Sequence, residues 1–235
     1  MLLGAMWVLP LAAGIVALVF AGLLGGRFLA RRRPYEAAWV IALVMYAVAS
    51  FALFLGVLDG WSTGEFRVYW AFGAILNVPW LFLGELYLLV RIRWVVDVLL
   101  VVLLFLTAFA IAEVRTATVH ASFLAKDLPL GKEMFGDGSV PYRLAQYYAY
   151  PAYLLLVGAC TWSAWRMRGR PQLRSGFIGT LLIAVGATVV AIGSGVGAGL
   201  DVTWVFSVGL LAGIAVMFRG FLRASRPMPR PLPAA

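Results

Sequence analysis

The chain has one cysteine (Cys160), one histidine (His120) and two lysines (Lys126 and Lys132) among its 235 residues. A lone cysteine excludes an intrachain disulfide, and with a lone histidine it leaves no ligand set of the zinc type. No Ser-His-Asp set falls within the apolar segments, and there is no glycine-rich phosphate loop or HExxH motif. Charge is scarce too, at 12% of residues, against about a quarter in soluble domains. Metal, disulfide, acyl-transfer and nucleotide chemistry all lack their residues, so the sequence speaks first about where the chain resides.

What is abundant is apolar surface. Hydrophobic residues make up 63% of the chain and fall into seven stretches, at about 7–26, 35–58, 67–90, 94–112, 144–165, 176–199 and 202–218. Each approaches or exceeds the ~20 residues that span a bilayer as a helix. Backbone groups in lipid must pair internally, and these stretches lack the alternation of barrel strands. The expected fold is therefore all-α: a single domain over 1–225 with seven transmembrane helices, an external loop at 113–143 and a disordered cytoplasmic tail at 226–235. Met1 to Met6 carry no positive charge, so the first stretch is expected to persist as a helix rather than be cleaved.

The net charge of +9 is a topology signal. Fourteen of the seventeen arginines lie in alternate gaps: Arg27 to Arg33, Arg91 and Arg93, Arg166 to Arg174, and Arg219 to Arg230. The positive-inside rule makes that side cytoplasmic, with the N-terminus outside and the C-terminus inside a cytoplasmic membrane. Anionic lipids, not nucleic acid, are the expected partners of this basic rim. A membrane-protein partner or a second copy of the chain is also compatible with it.

Local signals punctuate the helices. Ser62 with Glu65 forms a capping box, Pro34 and Pro141 suit first turns, and Asp201 is placed to cap the last helix. Trp7, Trp61, Trp70 and Trp204 mark one interface and Trp39, Trp94, Trp162 and Trp165 the other, leaving Trp80 near mid-membrane. Gly179, Gly186, Gly193 and Gly197 in the sixth helix, with Gly209 and Gly213 in the seventh, have the spacing of close helix packing.

Two groups could carry a function. Glu85 and Asp97 lie at matched depth on either side of a turn, as a shared-proton or cation pair would, or as structural ion-pairing groups. Asn77-Val78-Pro79-Trp80 joins a kink to a buried amide and an indole N–H, which suits either a small binding site or a structural bend. The loop's Phe123, Leu124, Leu128, Leu130 and Phe135 could rest on the membrane or cover the bundle mouth. Short matches between helices 1–3 and 5–7 (Leu58-Asp59 with Leu200-Asp201, Val68 to Phe72 with Val202 to Phe206) allow a parallel 3+1+3 repeat.

Asn77-Val78-Pro79-Trp80-Leu81, Gly84, Leu86 to Leu89 and the ending Met217 to Arg223 resemble a family of actinobacterial seven-helix membrane proteins of uncharacterised activity. The resemblance covers nearly the whole chain and implies a heptahelical inner-membrane protein of a high-GC Gram-positive bacterium, with no activity to carry over. The topology is also similar to that of microbial rhodopsins, but both lysines lie in the external loop, which excludes a retinal Schiff base. No cofactor is expected. Against the sugar transporters of the PQ-loop class, the one Pro-Gln, Pro171-Gln172, falls in a loop instead of a helix. The reading taken is non-enzymatic binding of a small lipid-like ligand or membrane partner. A small-solute or proton-coupled transporter and an intramembrane lipid-modifying enzyme are the alternatives.

Overall fold

The computed structural model describes residues 7–170, 173–200 and 202–224, and every regular element among them is helical. The helices are α1 (Val8–Arg31), α2 (Pro34–Asp59), α3 (Thr63–Leu89), α4 (Arg93–Thr116), α5 (140–167), α6 (Arg174–Gly199) and α7 (Thr203–Ala224). Asp201, Pro171-Gln172, Arg226, Arg230 and the tail lie outside the described residues.

Six of these helices, all but α5, are long and apolar enough to cross a membrane. This is the architecture of an integral membrane protein. α5 differs in composition: Tyr150, Pro151, Tyr153, Thr161, Trp162, Ser163 and Trp165 dilute its aliphatic run. Most helices extend past the apolar stretches at one end or both, the backbone ladder continuing into polar residues. The ends follow local chemistry. Arg32 in the left-handed region (φ 52°) closes α1 by donating its N–H to Phe28 O at 2.7 Å, and Pro34 then opens α2. Ser62 and Glu65 form a reciprocal capping box on α3.

The helices close a ring. α1 packs on α2, α2 on α3, α3 on α5, α5 on α6, α6 on α7, and α7 returns to α1. α4 stays outside, held by α3 and the first turn of α5. It is the most apolar of the six spans and the least buried, so its surface is matched to lipid rather than to protein.

The tightest contact is α6 on α7. A Cβ on Gly193 would sit 2.6 Å from Gly209 Cα, one on Gly186 would sit 2.6 Å from Gly213 O, and one on Gly197 would sit 2.6 Å from Phe206 N. Gly179 faces Gly220 O at the same distance, which adds Gly220 to the seam. Without side chains between them, the two backbones gain dispersion contacts that lipid cannot supply.

Proline shapes α3 and α5 in the same way. Pro79 lacks an N–H and its ring crowds the carbonyl of Ile75, and the turns ahead of it widen into a π-helix at Trp70–Leu76, with Asn77 N–H donating to Phe72 O. Ahead of Pro151, α5 has a second π-helical segment at Ala145–Ala149. The two segments touch, so the α3–α5 contact is irregular on both sides.

The loop after α4 covers the end of the bundle opposite the arginines. Leu128, Met134 and Phe135 are buried. Trp61 donates to Asp127 O at 3.1 Å, Arg67 to Ala117 O at 2.7 Å and Trp70 to Pro141 O at 3.0 Å. Phe66, Trp70 and Phe135 form one aromatic cluster, with centroids 5.5–6.0 Å apart. Lys126–Glu133 (2.7 Å) and Lys132–Asp137 (3.2 Å) tie the loop to itself. Of the two arrangements open in the sequence, the loop adopts the cover. Trp61 is thereby an interior residue, and Trp39, packed on Leu81 and Gly84 of α3, is one too, whereas Trp94, Trp162, Trp165 and Trp204 are exposed.

The Trp70 ring lies where a Cβ on Gly131 would be. Gly131→Val is therefore expected to lift the cover at a cost of about 1–3 kcal/mol. Trypsin added to that face should then cleave at Lys126 and Lys132 faster than in the wild type, and an unchanged rate would show that Trp70 does not seat the loop.

Candidate functional site

Positions 77, 81 and 85 recur every four residues and share one face of α3, directed into the ring. Asn77 and Glu85 are buried, at 6% and 3% exposure. Leu81, between them, lines a cavity at the ring's centre with Phe20 of α1, Trp39 and Leu43 of α2, Leu156 of α5, Ile183 of α6 and Met217 of α7. Every ring helix contributes. The cavity measures ≈10 Å³, about what a single water needs, and its lining is apolar, which disfavours even that water.

Trp39 closes the α2–α3 side. Its Nε1–H donates to Leu81 O at 3.0 Å, and its ring occupies the place a side chain on Gly84 would take. Gly84 is thus a cradle for an indole. Cys160, fully buried on α5, lies within electrostatic reach of Glu85. Among the described residues no hydrogen bond or ion pair reaches Glu85. The amide oxygen of Asn77 has no partner either.

Asp97 does not join Glu85. It is exposed at the start of α4 and accepts a hydrogen bond from Tyr87 OH at 2.8 Å. Trp80 also turns away from the ring, donating to Thr107 Oγ1 of α4 at 3.2 Å. The five candidates therefore divide. Asn77 and Glu85 face the interior, Trp80 and Asp97 belong to the attachment of α4, and Pro79 is the bend between them. A proton or cation shared by the two carboxylates has no geometric basis in this arrangement.

Glu36, Tyr46 and Ser207 are among the buried polar groups that escaped the sequence reading. Glu36 is 1% exposed in the first turn of α2; its Oε1 accepts from Tyr35 OH at 3.3 Å and its Oε2 has no partner. Tyr46 donates across the ring to Leu210 O at 2.8 Å, and Ser207 is buried with its hydroxyl unpaired. Glu36 sits behind Pro34, where an acid reads as a helix-dipole partner. Nothing in its spacing announces burial.

Because Glu85 has no partner to lose among the described residues, Glu85→Gln is expected to leave the folded state at wild-type stability, within about 1 kcal/mol. A fall of several degrees in the thermal midpoint of the detergent-solubilised protein would reveal a partner that this geometry lacks.

A second recess lies on the outside of the ring. Val40, Ile41, Val44, Met45 and Val48 of α2, with Phe72 of the π-helical segment, form an open groove of ≈280 Å³. All six lining residues are apolar. Its volume is at the lower end of the ~300–1,000 Å³ of small-molecule sites.

Compared with protein-family models, with curated proteins and with solved structures, the chain has no match.

Proposed function

We propose that the chain is a seven-pass protein of the cytoplasmic membrane, with its N-terminus outside and its C-terminus inside, that binds a lipid-like ligand without catalysing a reaction. One observation carries the ligand reading: the cavity shared by the six ring helices has room for no more than a water, while the recess on α2 opens sideways on the apolar outside of the ring. A ligand entering there comes from the bilayer, not from water. The orientation rests on the arginines, which gather at one end of the bundle. The π-helical and proline-bearing α5 is taken as the seventh crossing because it closes the ring. The lipid-enzyme alternative depends on Glu85 and Asp97 acting together, and Asp97, exposed and bonded to Tyr87 OH, lends it no support.

The test is lipid analysis of protein purified in mild detergent. Wild type is expected to retain about one lipid per chain, and Val44→Trp, which fills the groove, to retain none. Equal lipid content in both would overturn the reading. Cysteine at position 137 in a Cys160→Ser background should react with an impermeant maleimide on intact cells, and cysteine at position 168 should not; the reverse pattern would invert the topology.

A transport reading keeps one specific support. The ring order places α1–α2–α3 opposite α5–α6–α7 with α4 left out, as a 3+1+3 repeat with a linking helix would be. Its test is pH-dependent uptake into vesicles that is lost in Glu85→Gln.

A further inference from the structure

Among the described residues two carboxyl groups are buried, Glu36 and Glu85, and only Glu36 is met by a hydrogen-bond donor. Glu85 lies on the ring-facing side of α3, one turn past Leu81 towards the arginine-rich end. On the other ring helices, the positions one turn from a cavity-lining residue in the same direction are Leu24, Trp39, Cys160, Gly179 and Phe221. All five are buried and none is charged. An ionised carboxylate there would keep neither its water nor a counter-charge, whereas the acid form carries no charge to compensate. We propose that Glu85 is a proton-binding site, whose carboxyl carries a proton in the closed ring and exchanges it with water at the arginine-rich end.

The polar groups that neighbouring helices bring to this level are committed elsewhere. α5 brings Cys160, fully buried and within electrostatic reach of Glu85, with no hydrogen bond between them. α2 brings Trp39, whose N–H goes to Leu81 O, and Glu36, whose Oε1 accepts from a Tyr35 hydroxyl that Arg33 in turn meets. α4 brings Arg93 and Asp97, which bond to the backbone carbonyl and the hydroxyl of Tyr87. Across the ring, Arg27 of α1 lies 4.5 Å above the Phe221 ring of α7. The route of exchange follows from depth. α3 ends at Leu89, about 6 Å beyond Glu85, while its start at Thr63 is about 30 Å away. Leu81 and the apolar cavity lie on the longer way. The site is independent of the groove on α2 and is what a proton-coupled cycle would require of an intramembrane acid.

The experiment is infrared spectroscopy of the full chain at neutral pH in a detergent without ester groups. Wild type is expected to show the carbonyl band of a protonated carboxyl, shifted in heavy water. The band should be lost in Glu85→Gln and kept in Glu36→Gln and in Asp97→Asn. Wild type carrying glutamate with a heavy carboxyl carbon should show it at lower frequency, a reading that needs no substitution at position 85. Should Glu85→Gln not fold, the labelled band and its survival in Glu36→Gln assign the proton, because Glu65, Glu113 and Glu133 are partly exposed. Linkage supplies a second readout: a folded state that holds an extra proton loses stability as protons become scarce. The thermal midpoint of wild type should therefore fall from mildly acidic to mildly alkaline pH, and more steeply than that of Glu85→Gln. Absence of the band in wild type, its survival in Glu85→Gln, its loss in Glu36→Gln, or equal slopes in the two proteins overturns the proposal. Each of these outcomes leaves the lipid-binding reading standing, since that reading is decided by the lipid content of Val44→Trp.

Discussion

Replacing Gly193 with leucine is expected to prevent the chain from assembling as a monodisperse folded protein. The Cβ alone would sit 2.6 Å from Gly209 Cα, and the neighbour is backbone that has no rotamer to change. α6 and α7 would have to separate along the whole seam, taking Gly186 from Gly213 and Gly197 from Phe206. Overpacking a well-fitted contact typically costs 1–3 kcal/mol, and more where the main chain must move, against total stabilities of about 5–15 kcal/mol. Gly195, two residues on, has nothing within 4 Å of its Cβ position. Gly195→Leu is therefore the matched control, expected to fold as wild type. Size-exclusion profiles of the two variants in one detergent decide the matter, and similar profiles would show that the seam tolerates separation.

The second large effect is expected at Trp39. This side chain bridges α2 to α3, fills the hollow above Gly84 and forms one wall of the central cavity. Trp39→Ala removes that wall and should cost about 3–5 kcal/mol, as large-to-small aromatic substitutions do. Trp39→Phe keeps most of the volume and loses the bond to Leu81 O, for about 0.5–1.5 kcal/mol. The thermal midpoints should therefore fall in the order wild type, Phe, Ala. If the two variants melted together near the wild-type midpoint, the indole would have no part in holding the ring shut.

What could be read from the sequence, and what could not, follows from whether a signal is linear or angular. Depth is linear. The apolar lengths, the arginine-marked ends, the Ser62–Glu65 cap and the matched depth of Glu85 and Asp97 all follow from counting along the chain. Facing is angular, and each residue turns a helix by about 100°. Between Glu85 and Asp97 the chain leaves one helix and enters another, so the phase is reset, and two carboxylates at one depth look in different directions. Winding hides as well. Pro79 and Pro151 announce a disturbance, but a π-helix is a shift from four-back to five-back bonding that no residue type encodes. The covering loop was unreadable because its anchors, Trp61 and Trp70, are also the residues expected at a membrane interface. The indole N–H that would meet lipid carbonyls meets Asp127 O and Pro141 O instead.

The ring also imposes an order on birth. α1 completes its packing only against α7, where Phe20 stacks on Phe218 at 5.0 Å and Arg27 lies 4.5 Å above the Phe221 ring. At ribosomal rates of about 5–20 residues per second, roughly ten to forty seconds of synthesis separate the two helices. For that interval α1 and α2 present an unmatched flank to whatever surrounds the nascent chain. A ribosome stalled before α7 would leave an open arc of helices, with Tyr46 lacking its acceptor on Leu210 and α6 lacking the partner for its glycines. Such a fragment carries those faces unpaired, and only the arrival of α7 closes the ring around them.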